Sequence, residues 1–135
     1  MDRRTFLKSG AGLAATMGGY SLFPSNVHAK IPANLKVTKL KVIPVWTGSM
    51  NYIFVKLYTN AGVTGVGECI HGGDGCSRLI ENMAEIVKGE SPLDVDRLWE
   101  KIRRSYIFNG ALAGNVVTAM TGIEIALWDL AGKAL

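Results

Sequence analysis

Several function classes are excluded by what this chain does not contain. No basic stripe with interleaved aromatics runs along it, so the footprint of a nucleic-acid binder is absent. No GK[ST] element follows the glycines of His71–Gly75 (HGGDG), so that stretch is not a phosphate loop. There is no internal repeat and no low-complexity tract. Charge is modest, at 15 basic and 11 acidic residues in 135, a formal +4. Cysteine is scarce, at two residues, Cys69 and Cys76. Their close spacing permits a disulfide, but nothing in the sequence sets their Cβ vectors converging, and two buried free thiols are the expectation. What is present is a hydrophobic content of 48% against 19% charged residues, the balance of a folded domain of modest size.

Part of the basic excess sits in the first segment, MDRRTFLKSGAGLAATMGGYSLFPSNVHAK. Arg3, Arg4 and Lys8 form a basic start, and an apolar stretch rich in glycine and alanine runs from Gly10 to Phe23. Pro24 breaks it, and Val27-His28-Ala29 places small residues where a signal peptidase reads. Arg3-Arg4 followed by Thr5-Phe6-Leu7-Lys8 resembles the twin-arginine export motif. The expectation is a cleavable signal over residues 1–29, removed after Ala29, and a periplasmic mature protein. The alternative is a short amphipathic helix or anchor. The apolar run is too short and too glycine-rich to span about 30 Å of hydrocarbon.

Leu35–Trp46 sets apolar Val37, Leu40 and Val42 among Lys36, Lys39 and Lys41, which predicts a strand with one wet face. Pro44 marks an edge position or the strand's end. Tyr52–Asn60 is rich in β-branched and aromatic residues, and Val63–Ile70 follows a tight turn at Asn60-Ala61-Gly62. Glycines in this third strand either weaken it or let another backbone approach. A helix is predicted over Cys76–Lys88, with Gly89 as its C-cap glycine. A second opens at Asp94 as N-cap and carries Glu100 and Arg104 as an i,i+4 pair. A third starts near Asn115 with Val116, Met120, Ile123, Leu127, Leu130 and Ala134 on one stripe. The fold class is α+β: a three-stranded antiparallel meander followed by three helices. Val117, Ile125, Ala126, Trp128 and Ala131 lie outside the stripe, so the last helix is apolar over more than half its circumference. Such a helix is enclosed on two sides. Three strands cover one, and the sequence shows no partner for the other. The chain also stops on this helix with no glycine, proline or polar tail after it.

Two stretches carry a family resemblance: YIFVKLYTNAGVTGVGE, and AMTGIEIALWDLAGKAL, with GESPLDVDRLWEKI between them. In this order and spacing they resemble the N-terminal domain of the mandelate racemase/muconate lactonizing group of the enolase superfamily, over about Leu35–Leu135. The style of GIEIALWDLAGKAL is most similar to the acid-sugar dehydratases of the galactonate type. The resemblance implies residues 30–135 as a capping domain, followed in relatives by a TIM barrel that this chain does not reach. It implies a small carboxylate substrate, an acid sugar, and relatives that are often homo-oligomeric. Mg²⁺ in such enzymes is held by acidic residues of the barrel. A Lys or His base there removes the proton α to the carboxylate, and the metal stabilises the ene-diolate.

No catalytic and no metal-binding residue is therefore expected in this chain, and no cofactor held by it. The resemblance implies a specificity role for two loops, about Trp46–Asn51 and about Ile70–Gly75, with Trp46, Thr47, Asn51 and His71 as candidates. Taken singly, Trp46 covering the sheet edge and His71 as a solvated loop residue are the blander readings. Glu68 with His71 does not make a metal site, and Glu124, Asp129 and Lys133 form a polar edge of the last helix. The first functional expectation is the capping and specificity domain of an exported Mg²⁺-dependent acid-sugar dehydratase. The alternatives are a racemase, epimerase or cycloisomerase of the same family, and a non-enzymatic exported binding module.

Overall fold

The computed structural model describes residues 33–69, 74–111 and 113–135. Strands β1 (Val37–Trp46), β2 (Asn51–Thr59) and β3 (Thr64–Cys69) form one antiparallel sheet in the order β1-β2-β3. Helices α1 (Asp74–Val87), α2 (Val95–Ser105) and α3 (Gly114–Ala134) follow, with a short 3₁₀ turn at Ile107–Asn109 before α3. The α+β expectation is met element for element.

Strand β2 alternates as a half-buried strand should. Ile53, Val55, Leu57 and Thr59 are buried, and Tyr52, Phe54, Lys56 and Tyr58 are only partly covered. In β1 the apolar positions 37, 40 and 42 break a strict period of two, and the ladder shows why. Register slips between Val37 and Lys39, so one extra residue is accommodated and the strand changes face there. Pro44 pairs in register with Ile53 on an outer strand, where its missing N–H costs no ladder bond.

The start of β1 is tied to the α1–α2 connection. Gly89, at φ +80°, occupies the left-handed position after α1, and its N–H donates to Val37 O at 2.8 Å. Val37 N–H donates to Glu90 O at 3.0 Å. Glu90 in turn holds Arg97 at 2.8 Å and Lys101, and these partners hold its carboxyl down to about 2. Asp94 stands at the N-cap of α2, but its side chain makes no capping hydrogen bond; it pairs with Arg97 at 3.5 Å instead. Glu100 takes Arg104 as its spacing implies, and Arg103 as well, through two bonds of 2.7 and 2.8 Å.

Helix α3 is the spine of the core. Every residue of its predicted stripe is buried, along with Ala119, Ala126 and Ala131. On one side it lies against β3 so closely that β3 has glycine at the two contact positions. A Cβ on Gly67 would overlap Gly122 O and stand 2.6 Å from Ala126 N. A Cβ on Gly65 would overlap Ala126 O and stand 2.6 Å from Leu130 Cβ. The glycines of β3 thus serve backbone approach.

On its other side α3 does have partners within the chain, contrary to the sequence-based expectation. Helices α1 and α2 turn their own apolar faces, Cys76, Ile80, Met83 and Val87 with Val95, Leu98 and Ile102, into the same core. Only an outer strip of α3 stays open, with Ile125 42% and Trp128 54% exposed. At the border of α3, Asp129 accepts the Val66 N–H at 2.8 Å, and Lys133, paired with Asp129, donates to Thr64 O at 3.3 Å. Among the described residues no helix is long and apolar enough to cross a membrane.

Candidate functional site

Sheet register decides which loops meet. Trp46 faces Asn51 across the last rung of β1 and β2, and Ile53, two residues into β2, faces Cys69 at the end of β3. The β1–β2 turn and the last residue of β3 therefore lie at the same end of the sheet. The N-terminal turn of α3 reaches that end too. The Cys69 thiol lies 3.1 Å from Thr118 O, and the Cys76 thiol 3.5 Å from Asn115 O.

The β1–β2 turn is braced from within. Thr47 donates to Met50 O through both its N–H (3.2 Å) and its Oγ1 (3.1 Å). Thr47 is thus a structural staple of the turn. Trp46 is 64% exposed, and Met50 and Asn51 beside it at the sheet end are exposed as well. Of the four candidate loop residues, Trp46, Thr47 and Asn51 are brought together. His71 lies outside the described residues, as do Arg3, Arg4 and Ala29 of the expected export signal.

Sequence reasoning passed over two exposed apolar residues in the connection that leads into α3. Ile107 is partly exposed and Phe108 fully so. The signal was available: an adjacent Ile and Phe beside a glycine-punctuated loop, with no periodic partner to bury them.

Beneath this end of the sheet the two cysteines are free and buried, as expected. Burial, and next the neighbouring Cys76 thiol, push Cys69 up to about 12. Burial also raises Cys76, while its contact with Cys69 works the other way.

Among the described residues the donor set does not fit a divalent cation. Among the described residues no three of His, Cys, Asp and Glu are grouped to hold a metal ion. The best-placed carboxylates are committed: Glu90 to Arg97 and Lys101, Glu100 to Arg103 and Arg104, Asp129 to Lys133 and the Val66 N–H. No metal-dependent step is assigned to these residues.

A three-stranded antiparallel meander backed by three helices is an α+β domain of the enolase N-terminal type. The family model described as "Mandelate racemase / muconate lactonizing enzyme, N-terminal domain" matches residues 23–135, and the chain belongs to that family. It is 47% identical over 88 residues to a D-xylonate dehydratase of Haloferax volcanii, covering 65% of this chain and 21% of that protein. It is 31% identical over 103 residues to a D-galactonate dehydratase of Xanthomonas axonopodis pv. citri, covering 75% and 26%. Among solved structures, a mandelate racemase/muconate lactonizing enzyme-like protein from Rubrobacter xylanophilus superposes with a TM-score of 0.69 at 39% identity, over 75% of this chain and 25% of that one. The chain spans about a quarter of the length of the curated relatives it matches. It is thus an N-terminal domain of the kind found in acid-sugar dehydratase-like proteins of the enolase superfamily.

Proposed function

We propose that this domain is the specificity cap of an exported acid-sugar dehydratase, closing over a catalytic barrel and touching the part of the substrate remote from the reacting carbon. The observation that carries the reading is the register that sends the Trp46–Asn51 turn and the end of β3 to one edge of the domain, with Trp46 and Met50 presented outward there. Apolar residues on a braced turn suit the exclusion of water and the grip of a sugar-acid backbone. The relatives named as D-xylonate and D-galactonate dehydratases favour this reaction over racemisation, epimerisation or cycloisomerisation. In that reading Mg²⁺ and the base that takes the α-proton belong to the barrel, and the metal supplies charge to stabilise an ene-diolate. This domain's residues bind, orient and exclude water.

The test is kinetic, on the full-length enzyme with Mg²⁺ and a panel of acid sugars. Trp46→Ala should raise KM about tenfold, the equivalent of roughly 1.4 kcal/mol of substrate contact, while kcat moves much less. An unchanged KM for the best substrate would remove the capping role. A full-length enzyme that dehydrates no acid sugar would remove the reaction.

Export belongs to the same proposal. Arg3 and Arg4 open the signal, and cleavage follows Ala29. Protein recovered from a periplasmic fraction should begin at Lys30. An intact Met1 on the native protein would overturn the assignment.

A further inference from the structure

Cys69 ends β3 and Cys76 lies in the first turn of α1, and both side chains are fully buried. Their sulfurs hang from a single ridge of α3. Cys69 reaches Thr118 O at 3.1 Å and Cys76 reaches Asn115 O at 3.5 Å, carbonyls three residues apart and so one turn apart on the same helix. Room for this arrangement comes from Gly122. A Cβ there would stand 2.5 Å from the Cys69 sulfur and 3.2 Å from Val55 Cγ2. Each thiol is thereby committed to a carbonyl of α3, and the two sulfurs are neighbours along that ridge. Two apolar side chains would fill such a site without any sulfur chemistry. Here two sulfurs from different elements are held along one ridge of α3.

We propose that Cys69 and Cys76 form an oxidisable dithiol that closes to an intramolecular disulfide, joining the end of β3 covalently to the start of α1.

The oxidant is of the disulfide class: glutathione disulfide, or the active-site disulfide of a thiol oxidoreductase. Cys76 is the first nucleophile, because its place in the first turn of α1 brings it to solvent when that turn opens. Its sulfur attacks the oxidant's disulfide, forming a mixed disulfide and expelling one thiolate, which takes up the proton Cys76 released. Cys69 then loses its proton and attacks the Cys76 sulfur. The Cys69–Cys76 bond forms, the mixed disulfide breaks, and the second thiolate leaves and is protonated. The chain is oxidised by two electrons and the oxidant is reduced to two thiols. Since both sulfurs are sealed, reaction occurs during folding or when the first turn of α1 opens.

The experiment equilibrates the full-length protein with glutathione buffers of graded oxidation, once native and once in urea. Free thiols are trapped by alkylation and peptides are mapped by mass spectrometry. The expected result is a peptide linking Cys69 to Cys76, formed in the native protein at a glutathione ratio at least tenfold more reducing than the unfolded chain requires. The oxidised protein should also melt about 10 °C higher than the reduced one. A Cys76→Ser variant should lose both the link and the melting shift, and if it fails to fold, the native-against-urea comparison in the unaltered protein still decides. An equal or weaker tendency in the native protein overturns the proposal, as do two free thiols at every ratio or a link between two molecules.

Discussion

Gly67→Ala should cost this domain about 3 kcal/mol or more, lowering its urea midpoint by about 1–2 M. A methyl group there overlaps Gly122 O, approaches Ala126 N to 2.6 Å, and meets Ala126 Cβ at 3.2 Å. Two of these three neighbours are helix backbone, which cannot turn aside as a flexible side chain would. Relief requires α3 to move off β3, and that opens the layer containing Val55, Cys69 and Ala126. Gly65→Ala should act in the same way, since its methyl would overlap Ala126 O and lie 2.9 Å from Leu130 N. Gly132→Ala is the control. Nothing lies within 4 Å of a Cβ at that helical position, so it should stabilise by up to about 1 kcal/mol through helix propensity alone. Urea unfolding followed by circular dichroism separates the three. A Gly67→Ala midpoint equal to that of the unaltered chain would mean that α3 does not sit on β3 in this way.

Leu127→Ala and Trp128→Ala should differ sharply although the residues are adjacent. Leu127 is fully buried in the stripe that faces the core, and its truncation should cost about 3 kcal/mol through lost transfer energy and the cavity left behind. Trp128 is a larger side chain, yet 54% exposed on the outer strip, beside Leu93 and Val95. Its removal from this chain should change stability by no more than about 0.5 kcal/mol. Thermal melts of the two variants check the contrast. A Trp128→Ala chain destabilised as much as Leu127→Ala would show that the outer strip is covered in solution.

Much of the architecture could be read from residue patterns, because period two and period 3.6 report directly which face of an element is apolar. The α3 stripe from Val116 to Ala134 is the clearest case, buried at every predicted position. Periodicity does not say what covers a face. The cover of α3 by α1 and α2 follows from how two amphipathic helices fold back, which is a tertiary fact. Local chemistry misled in a similar way at Asp94, where the capping position is right but Arg97 competes for the carboxylate. The slip at Val37–Lys39 was visible only as an imperfect alternation. At the candidate site, the Trp46–Asn51 turn could be placed from the break between two strands. Phe108 went unnoticed because exposure of a large apolar residue has no sequence period. The placing of Cys69 and Cys76 along one helix depends on the carbonyls of α3, which no spacing between the two cysteines encodes.

The Asp129–Lys133 pair has a consequence for the sheet. Val66 N–H and Thr64 O belong to the outer margin of β3, and the pair meets one with an acceptor and the other with a donor. Two side chains from a helix thus do for that margin what a neighbouring fourth strand would do. A foreign polypeptide seeking to bond these two groups would have to displace both ends of an ion pair, a built-in deterrent to edge-to-edge aggregation.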